Sequence, residues 1–196
     1  MVHSLELLLD EVSDQYIRDE WHTLDSAGLP NQSTIRSGTN RPHVTLAAAK
    51  HIAGSADAAL TPVSLRLPFT ATIGAPILFA QGSRVTLARL VVPSTELLSI
   101  HAQTIRLVAD HLVADHPSGS HPGDSHPGET GPAMMPHSTP GRWTPHVTLA
   151  RRLDPEQLTR ALGALDTRAT VDGSFVGLRH WDGDAKTEHV LGGRAC

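Results

Sequence analysis

The sequence predicts an α+β fold in which two similar lobes surround a central cleft. The hexapeptide Pro-His-Val-Thr-Leu-Ala occurs twice, at 42–47 and at 145–150, which indicates two related halves. The residue patterns predict the order strand, helix, motif strand, further strands, long helix, second motif strand, helix and hairpin, which is typical of α+β domains. The chain has 196 residues, enough for one domain with a substantial apolar core. We therefore interpret residues 1–196 as a single bilobal domain.

The repeated hexapeptide requires a cause other than composition. At typical residue frequencies, six identities arise by chance in about 10⁻⁷ of segment pairs, or about 10⁻³ for a chain of this length. Each copy is predicted to be a short strand, because Val44 and Leu46 alternate with His43 and Thr45. The histidine and the threonine of each copy therefore share one face of their strand.

This shared face predicts a phosphate site. An unperturbed imidazole has a pKa of about 6.5 and can donate or accept a proton at neutral pH, and a threonine hydroxyl can donate a hydrogen bond to an anionic oxygen. Two such pairs facing each other across a cleft would place a histidine on either side of a phosphate. One imidazole could deprotonate a nucleophile while the other protonates the departing oxygen, without a metal ion.

With these motifs the sequence resembles the 2H phosphoesterase superfamily, whose signature is a pair of His-x-Thr motifs in two related lobes. Within it, the RNA 2',3'-cyclic phosphodiesterase or 2'-5' RNA ligase family is most similar, because that family also favours a proline before the histidine and an arginine shortly after the second motif. Here that arginine is Arg151 or Arg152. The resemblance implies that antiparallel sheets from the two lobes line the cleft and that the helices lie outside.

The resemblance also implies an activity and the residues that carry it. The expected reaction is metal-independent hydrolysis of 2',3'-cyclic phosphate ends of RNA or nucleotides to 2'-phosphates, with no cofactor and no metal site. His43 would be the acid and His146 the base, although a reversed reaction exchanges these roles. Thr45 and Thr148 would bind the nonbridging phosphate oxygens. With a 5'-hydroxyl as the nucleophile, the same groups could form a 2'-5' linkage without ATP.

Four further side chains near the motifs are candidate substrate contacts. Arg151 and Arg152 follow the second motif, Arg41 precedes the first, and Trp143 precedes the second. Each has a simpler interpretation, since the cations could be solvated and Trp143 could anchor the edge of a strand. Arg84 begins a segment that resembles the second motif but has arginine in place of histidine, so it is only a weak candidate.

Three other interpretations stay open at this point. The repeat could mark a duplicated structural edge, or the cleft could bind a nucleotide or RNA end without turning it over. The chain could also be a metal-binding protein that acts through its histidine-rich segment. In that segment three pentapeptides at 116–130 each begin with His-Pro, and we predict a flexible surface insertion at 116–141 because apolar residues are sparse there.

The composition excludes several classes of protein. The formal net charge of −4 argues against a basic surface that binds duplex DNA. The sequence has no apolar run of about 20 residues, and its first residues lack a basic segment ahead of an apolar one, so we expect neither a membrane span nor a secretion signal. The single cysteine, Cys196, excludes an internal disulfide. We expect a cytoplasmic monomer that binds an RNA end or a small nucleotide.

The remaining patterns predict the elements around the motifs. A strand is predicted over 2–10 and a helix capped by Ser13 that ends near 27. After the first motif we expect a short helix at 56–60, strands at 65–73, 75–80 and 83–92, and a helix from 94 to 114 with Leu98, Ile105, Val108 and Leu112 in its apolar stripe. After the second motif, Asp154 is predicted to cap a helix, and strands at 169–181 and 187–192 to form a hairpin.

Overall fold

In the computed structural model, which describes residues 2–112 and 134–193, seven strands form one sheet with antiparallel pairing. The strands are β1 (His3–Leu9), β2 (His43–Ala49), β3 (Phe69–Gln81), β4 (Arg84–Val91), β5 (His146–Leu153), β6 (Val171–Asp182) and β7 (Thr187–Gly193). The helices are α1 (Glu11–Ser26), α2 (Ala56–Ala59), α3 (Thr61–Ser64), α4 (Thr95–Val108) and α5 (Pro155–Ala164). Short 3₁₀ helices lie at Gln32–Thr34, Ala109–His111 and Pro136–Ser138.

The strand order divides the sheet into two lobes. The order is β2-β1-β6-β3-β4-β5, and β7 pairs with the remaining edge of β6. The first lobe contains β1, β2, β6 and β7, the second contains β3, β4 and β5, and the lobes join where the first residues of β3 and β6 pair. The two motif strands, β2 and β5, lie at opposite ends of this order and nevertheless contact each other. The predicted α+β fold with two antiparallel lobes is confirmed.

Helices from each lobe pack across to the motif strand of the other. α1, which follows β1, contacts β5, whereas α4, which follows β4, contacts β2. Ile17, Trp21 and Leu24 of α1 are almost completely buried. The helix begins after Asp10, whose carboxylate accepts the N–H of Ser13, so the predicted cap at Ser13 was placed one turn too late.

A buried ion pair attaches α1 to the sheet. Arg89 of β4 is inaccessible to solvent, and its Nε atom lies 3.0 Å from the carboxylate of Glu20 on α1. The guanidinium also donates to the carbonyl oxygen of Asp166 at 2.7 Å. Because charged groups are costly to bury alone, each member of this pair depends on the other.

The buried face of α4 differs from the predicted stripe. Leu97, Ile100, Thr104 and Val108 are buried, whereas Leu98 is 48% exposed. The helix ends at 108 and continues as a 3₁₀ turn, so Leu112 leaves the helix and forms an isolated bridge with Ile52. The predicted stripe required a longer regular helix than the chain forms.

Two predicted strands are one strand in the structure. β3 runs without interruption from 69 to 81, and an irregularity in its pairing with β4 between Ile73 and Pro76 accommodates the predicted break. Residues 61–64 are helical and Leu65 is 79% exposed, so the segment 65–68 was wrongly predicted to be strand. The predicted helix near 56–60, the capping of α5 by Asp154 and the final hairpin are confirmed.

The predicted insertion at 116–141 falls largely outside the described residues, and its flexibility there stays a prediction. Its last part, 134–141, is described, and two of its residues pack on the motif strand β2. Met134 bridges Ala49, and the hydroxyl of buried Ser138 accepts the N–H of Ala48 at 3.1 Å. Met134 and Ser138 are therefore part of the packed structure, and the prediction of a surface insertion is wrong for these two residues. Among the helices of the described ranges, none has the length and apolar character to cross a membrane.

Candidate functional site

The two motif strands are buried in the same pattern. In both copies the histidine and threonine are half-buried, and the residues between and around them face the core. The core-facing side chains are at most 1% exposed: Val44, Leu46, Val147 and Leu149. The apolar positions of the hexapeptide therefore fix each strand, and its polar positions present His43 with Thr45 and His146 with Thr148 on the accessible face.

Each motif strand contains the same β-bulge. Between the pairs Leu5–Ala47 and Glu6–Thr45, β2 has one more residue than β1. Between Leu87–Ala150 and Ala88–Thr148, β5 likewise has one more residue than β4. Bulges bend a strand and often lie next to active sites. The repeated hexapeptide therefore corresponds to a repeated backbone distortion as well as to repeated side chains.

Two tryptophans donate hydrogen bonds to the backbone of the motif strands. Trp143, which precedes the second motif, donates its indole N–H to the carbonyl oxygen of Thr45 at 2.8 Å. Trp21 of α1 donates to the carbonyl oxygen of Thr148 at 3.1 Å. Trp143 also stacks on His101 with 3.9 Å between ring centroids. Trp143, predicted as a candidate substrate contact, is thus placed as an anchor between the two motifs and lines neither of the cavities described below.

Both catalytic candidates are oriented by the main chain two residues earlier. Nδ1 of His43 lies 2.8 Å from the carbonyl oxygen of Arg41, and Nδ1 of His146 lies 2.7 Å from that of Thr144. A carbonyl oxygen only accepts hydrogen bonds, so Nδ1 carries the proton in each ring. In the neutral form of either ring, Nε2 is then the atom with a free lone pair.

The surroundings of His146 favour its neutral form. Burial lowers its pKa below the usual 6.5, and this exceeds the opposing effect of the hydrogen bond to Thr144. The nearby positive charges of His43 and Arg151 lower the pKa further. The ring of Phe79 packs against His146 at 4.6 Å between centroids.

The surroundings of His43 have the opposite charge. Oε1 of Glu6, a residue only 4% exposed, lies 3.5 Å from Nε2 of His43. Burial would raise the pKa of this carboxyl, but His43, Arg179 and a hydrogen bond from Ser4 outweigh it and lower the pKa. Glu6 is therefore anionic, and its carboxylate is the charged group that lies beside Nε2 of His43. Sequence analysis missed Glu6, because only the pairing of β1 with β2 brings it opposite Thr45.

A charged network holds Glu6 in place. Arg179 of β6 donates to Glu6 at 2.7 Å and to Glu188 at 2.6 Å. Arg41, predicted as a candidate substrate contact, donates to the other oxygen of Glu188 at 2.9 Å. Arg179 and Glu188 are distant in sequence from both motifs, and their strand patterns carry no signal of this role.

Three of the four polar motif residues, His43, Thr45 and Thr148, line two neighbouring cavities, whereas His146 lines neither of them. The larger has a volume of about 530 Å³, and its lining includes His43, Thr45, Arg151, Arg179, Trp181 and Ile35. The smaller, of about 20 Å³, shares His43 and Arg151 with it and adds Thr148 and Arg41. Of the two arginines predicted after the second motif, the structure places Arg151 at the site. Arg152 has a positive φ of 61° beyond the bulge and accepts a hydrogen bond from Arg84 on the exterior.

Solved structures share this fold at low sequence identity. TT0787 of Thermus thermophilus is 16% identical with a TM-score of 0.54, covering 97% of this chain and 95% of its own. E. coli LigT in complex with 3'-AMP is 13% identical with a TM-score of 0.52, covering 96% and 92%. Kluyveromyces marxianus Usb1 with uridine monophosphate is 14% identical with a TM-score of 0.51, covering 97% and 98%. No curated protein matches the sequence.

The fold consists of two antiparallel lobes, each of which presents one His-x-Thr motif on the accessible face of a strand. The family model of the 2'-5' RNA ligase superfamily matches residues 18–185, and the chain belongs to this superfamily of 2H phosphoesterases. Membership supports an enzyme of the phosphoesterase or RNA ligase type.

Proposed function

We propose that this protein hydrolyses the 2',3'-cyclic phosphate at the end of an RNA or a nucleotide to a 2'-phosphate. The observation that carries the proposal is the pair of oriented imidazoles with opposite electrostatic surroundings. The carboxylate of Glu6 lies beside Nε2 of His43, whereas burial and positive neighbours lower the pKa of His146. We therefore assign the role of acid to His43 and the role of base to His146.

The reaction transfers one proton at each of these two rings. Nε2 of His146 accepts a proton from water as the water oxygen attacks phosphorus. The bond from phosphorus to the 3' oxygen breaks, and Nε2 of His43 gives its proton to that oxygen. The products are a 2'-phosphate and a 3'-hydroxyl, and the two proton transfers leave the total charge of the site unchanged.

Charge on the nonbridging oxygens is stabilised by groups that line the cavities. The hydroxyls of Thr45 and Thr148 and the guanidinium of Arg151 supply the hydrogen-bond donors for this role. If a 5'-hydroxyl replaces water as the nucleophile, the same proton transfers form a 2'-5' linkage without ATP. The chemistry uses only side chains of this chain and requires no metal.

The larger cavity supports a nucleotide-sized substrate. Its volume of about 530 Å³ lies within the range of small-molecule sites, and Trp181 and Ile35 provide flat and apolar surface beside the charged groups. The structures of LigT with 3'-AMP and Usb1 with uridine monophosphate hold nucleotides on the same fold. We propose that the cavity binds the terminal nucleoside of the substrate.

The test is turnover of 2',3'-cyclic nucleotides by chelator-treated protein, with the phosphate position assigned by ³¹P NMR. Replacing His43→Ala or His146→Ala should each lower kcat by about 10² or more. His22→Ala, at an exposed position of α1, is the matched control and should leave kcat unchanged. Binding without turnover would identify a binding module instead. Turnover that requires added zinc while the chelator-treated protein remains folded would refute the metal-independent mechanism.

A further inference from the structure

A second group of ionisable side chains lies on the face of the sheet opposite the proposed catalytic site. Along β1 and β6, Glu6 and Arg179 face the cavity, so the residues that alternate with them face away from it. His180 is such a residue, and it pairs across the strands with His189 of β7. The group, which we name the histidine cluster, consists of His3, His180, His189, Asp57, Asp182 and Asp184.

Three members of the histidine cluster converge on one point. The carboxylate of Asp57 on α2 lies 2.7 Å from Nδ1 of His180 through one oxygen and 2.9 Å from Nδ1 of His189 through the other. His180 is 2% exposed, Asp57 is partly accessible and His189 is 49% exposed. The space between these three side chains is therefore bounded by a buried imidazole on one side and open to solvent on the other.

The remaining members extend this arrangement into the protein. Nε2 of His180 lies 3.4 Å from Nδ1 of His3, which is itself 1% exposed. Nε2 of His3 lies 3.1 Å from the carboxylate of Asp184 and 3.3 Å from that of Asp182. Two buried imidazoles thus form a continuous series between the carboxylate of Asp57 and the carboxylates of the β6–β7 turn.

This series contains more hydrogen-bonding contacts than two neutral imidazoles can satisfy. The contacts Asp57–His180, His180–His3 and His3–Asp184 each require one hydrogen. A neutral imidazole has a single N–H, so His180 and His3 together supply two. The third contact can form only if one more positive charge, a proton or a metal ion, binds to the two imidazoles. A cation between Asp57 and His180 would do so, because Nε2 of His180 could then donate to His3 and Nε2 of His3 to Asp184.

We propose that Asp57, His180 and His189 bind a divalent late first-row transition metal ion such as Zn²⁺. Imidazole and carboxylate are the ligands that Zn²⁺ accepts in three-ligand sites, and the fourth position is taken by water. Bonds of about 2.0–2.1 Å in a tetrahedron place ligand atoms about 3.3 Å apart. The three ligand atoms lie within 4.8 Å of one another, and the two contacts of Asp57, at 2.7 and 2.9 Å, must widen by about half an ångström. His189 is half exposed and can move by this amount.

The deeper residues supply the support that metal-binding histidines usually have. A ligating imidazole commonly donates its second N–H to a further acceptor, which fixes its tautomer. Here His180 donates to His3, and His3 donates to Asp184. The ion would connect α2, β6 and β7 on the face of the sheet opposite Arg179 and Glu188. It would stabilise that part of the fold without touching the reacting groups.

The test is metal binding by tag-free, chelator-treated full-length protein. His116, His121 and His126 are first replaced by Gln, because the histidines of the His-Pro segment could also bind Zn²⁺. Titration against a chromophoric chelator should give one Zn²⁺ per chain, with a higher Tm in the loaded protein. Co²⁺ should give the absorption of tetrahedral coordination.

Two substitutions and a matched control locate the ion. Asp57→Asn and His189→Ala should each weaken Zn²⁺ binding at least tenfold and abolish the rise in Tm. His51→Ala is the control, because His51 is 47% exposed and lies beside Asp184 and His3 but outside the three ligands.

Three results would overturn the proposal. The first is the lack of stoichiometric binding at micromolar Zn²⁺. The second is loss of binding in His51→Ala but not in His189→Ala. The third is a Tm that responds to acidification but not to the metal, which would assign the extra charge to a proton. If Asp57→Asn does not fold, His189→Ala and the Co²⁺ spectrum still decide.

Discussion

Removal of the charge on Glu6 should impair the proposed acid without disturbing the proposed base. Glu6 is buried beside Nε2 of His43, and its carboxylate accepts hydrogen bonds from Ser4 and Arg179. The substitution Glu6→Gln preserves the size of the side chain and an oxygen for Ser4, but it removes the negative charge. Arg179 then stands near His43 without its carboxylate partner on β1.

The size of the effect follows from the distance. Two unit charges 3.5 Å apart interact by about 5 kcal/mol at an effective dielectric constant of about 20. The side chain of His43 is 30% exposed, so water replaces part of this stabilisation. We expect a loss of about 1.4–2.8 kcal/mol of electrostatic interaction between the two side chains, equivalent to a factor of about 10 to 100.

The assay is kcat/KM for a 2',3'-cyclic nucleotide at neutral pH. It should fall by about 10- to 100-fold in Glu6→Gln, because the group beside Nε2 of the proposed acid loses its charge. Glu188→Gln is the matched control, because Glu188 also binds Arg179 but lies one residue further from His43 in the network. Its kcat/KM should fall much less. An unchanged kcat/KM in Glu6→Gln, or equal losses in both variants, would refute the assignment of Glu6.

Two further predictions concern stability. Glu20→Gln leaves the buried charge of Arg89 uncompensated and should lower the free energy of unfolding, measured in urea, by about 3–5 kcal/mol. Glu96→Gln, in an exposed ion pair with Arg66, is the control and should lower it by less than about 1 kcal/mol. Equal losses in the two variants would contradict the role of burial. Burial lowers the pKa of His101 and His146, so the unfolded chain binds protons first on acidification. The free energy of unfolding should therefore hold above about pH 6.5 and fall below it, with a smaller slope in His101→Gln; the same slope in that variant would exclude His101 as a contributor.

Local sequence patterns were sufficient wherever the structure depends on neighbours in the chain. The alternation within each hexapeptide correctly placed Val44 and Leu46 in the core and His43 and Thr45 on the accessible face. The capping of α5 by Asp154 was likewise predictable, because the carboxylate, the following proline and Gln157 lie within four residues.

Predictions failed where the structure depends on partners distant in the chain. In the sequence pattern Leu98 belongs to the apolar stripe of α4, but the neighbouring face, on which Leu97 lies, is the one that is buried. The segment 134–138 follows the His-Pro repeats and was predicted together with them as a surface insertion, yet its backbone and Ser138 form hydrogen bonds with Ala48 on a motif strand. Neither partner is visible in the local pattern.

The same limit explains why the division of labour between the two histidines is invisible in the motifs. The hexapeptides are identical, their bulges correspond, and both imidazoles are oriented by a carbonyl two residues earlier, so nothing within the motifs distinguishes an acid from a base. The difference lies in the adjacent strands, where Glu6 stands opposite Thr45 and the equivalent position opposite Thr148 is the buried Ala88. In the proposed mechanism, two identical motifs thus become an acid and a base through one residue on each neighbouring strand. In this chain, the residue opposite each motif threonine is therefore the position at which a substitution tests the assigned roles.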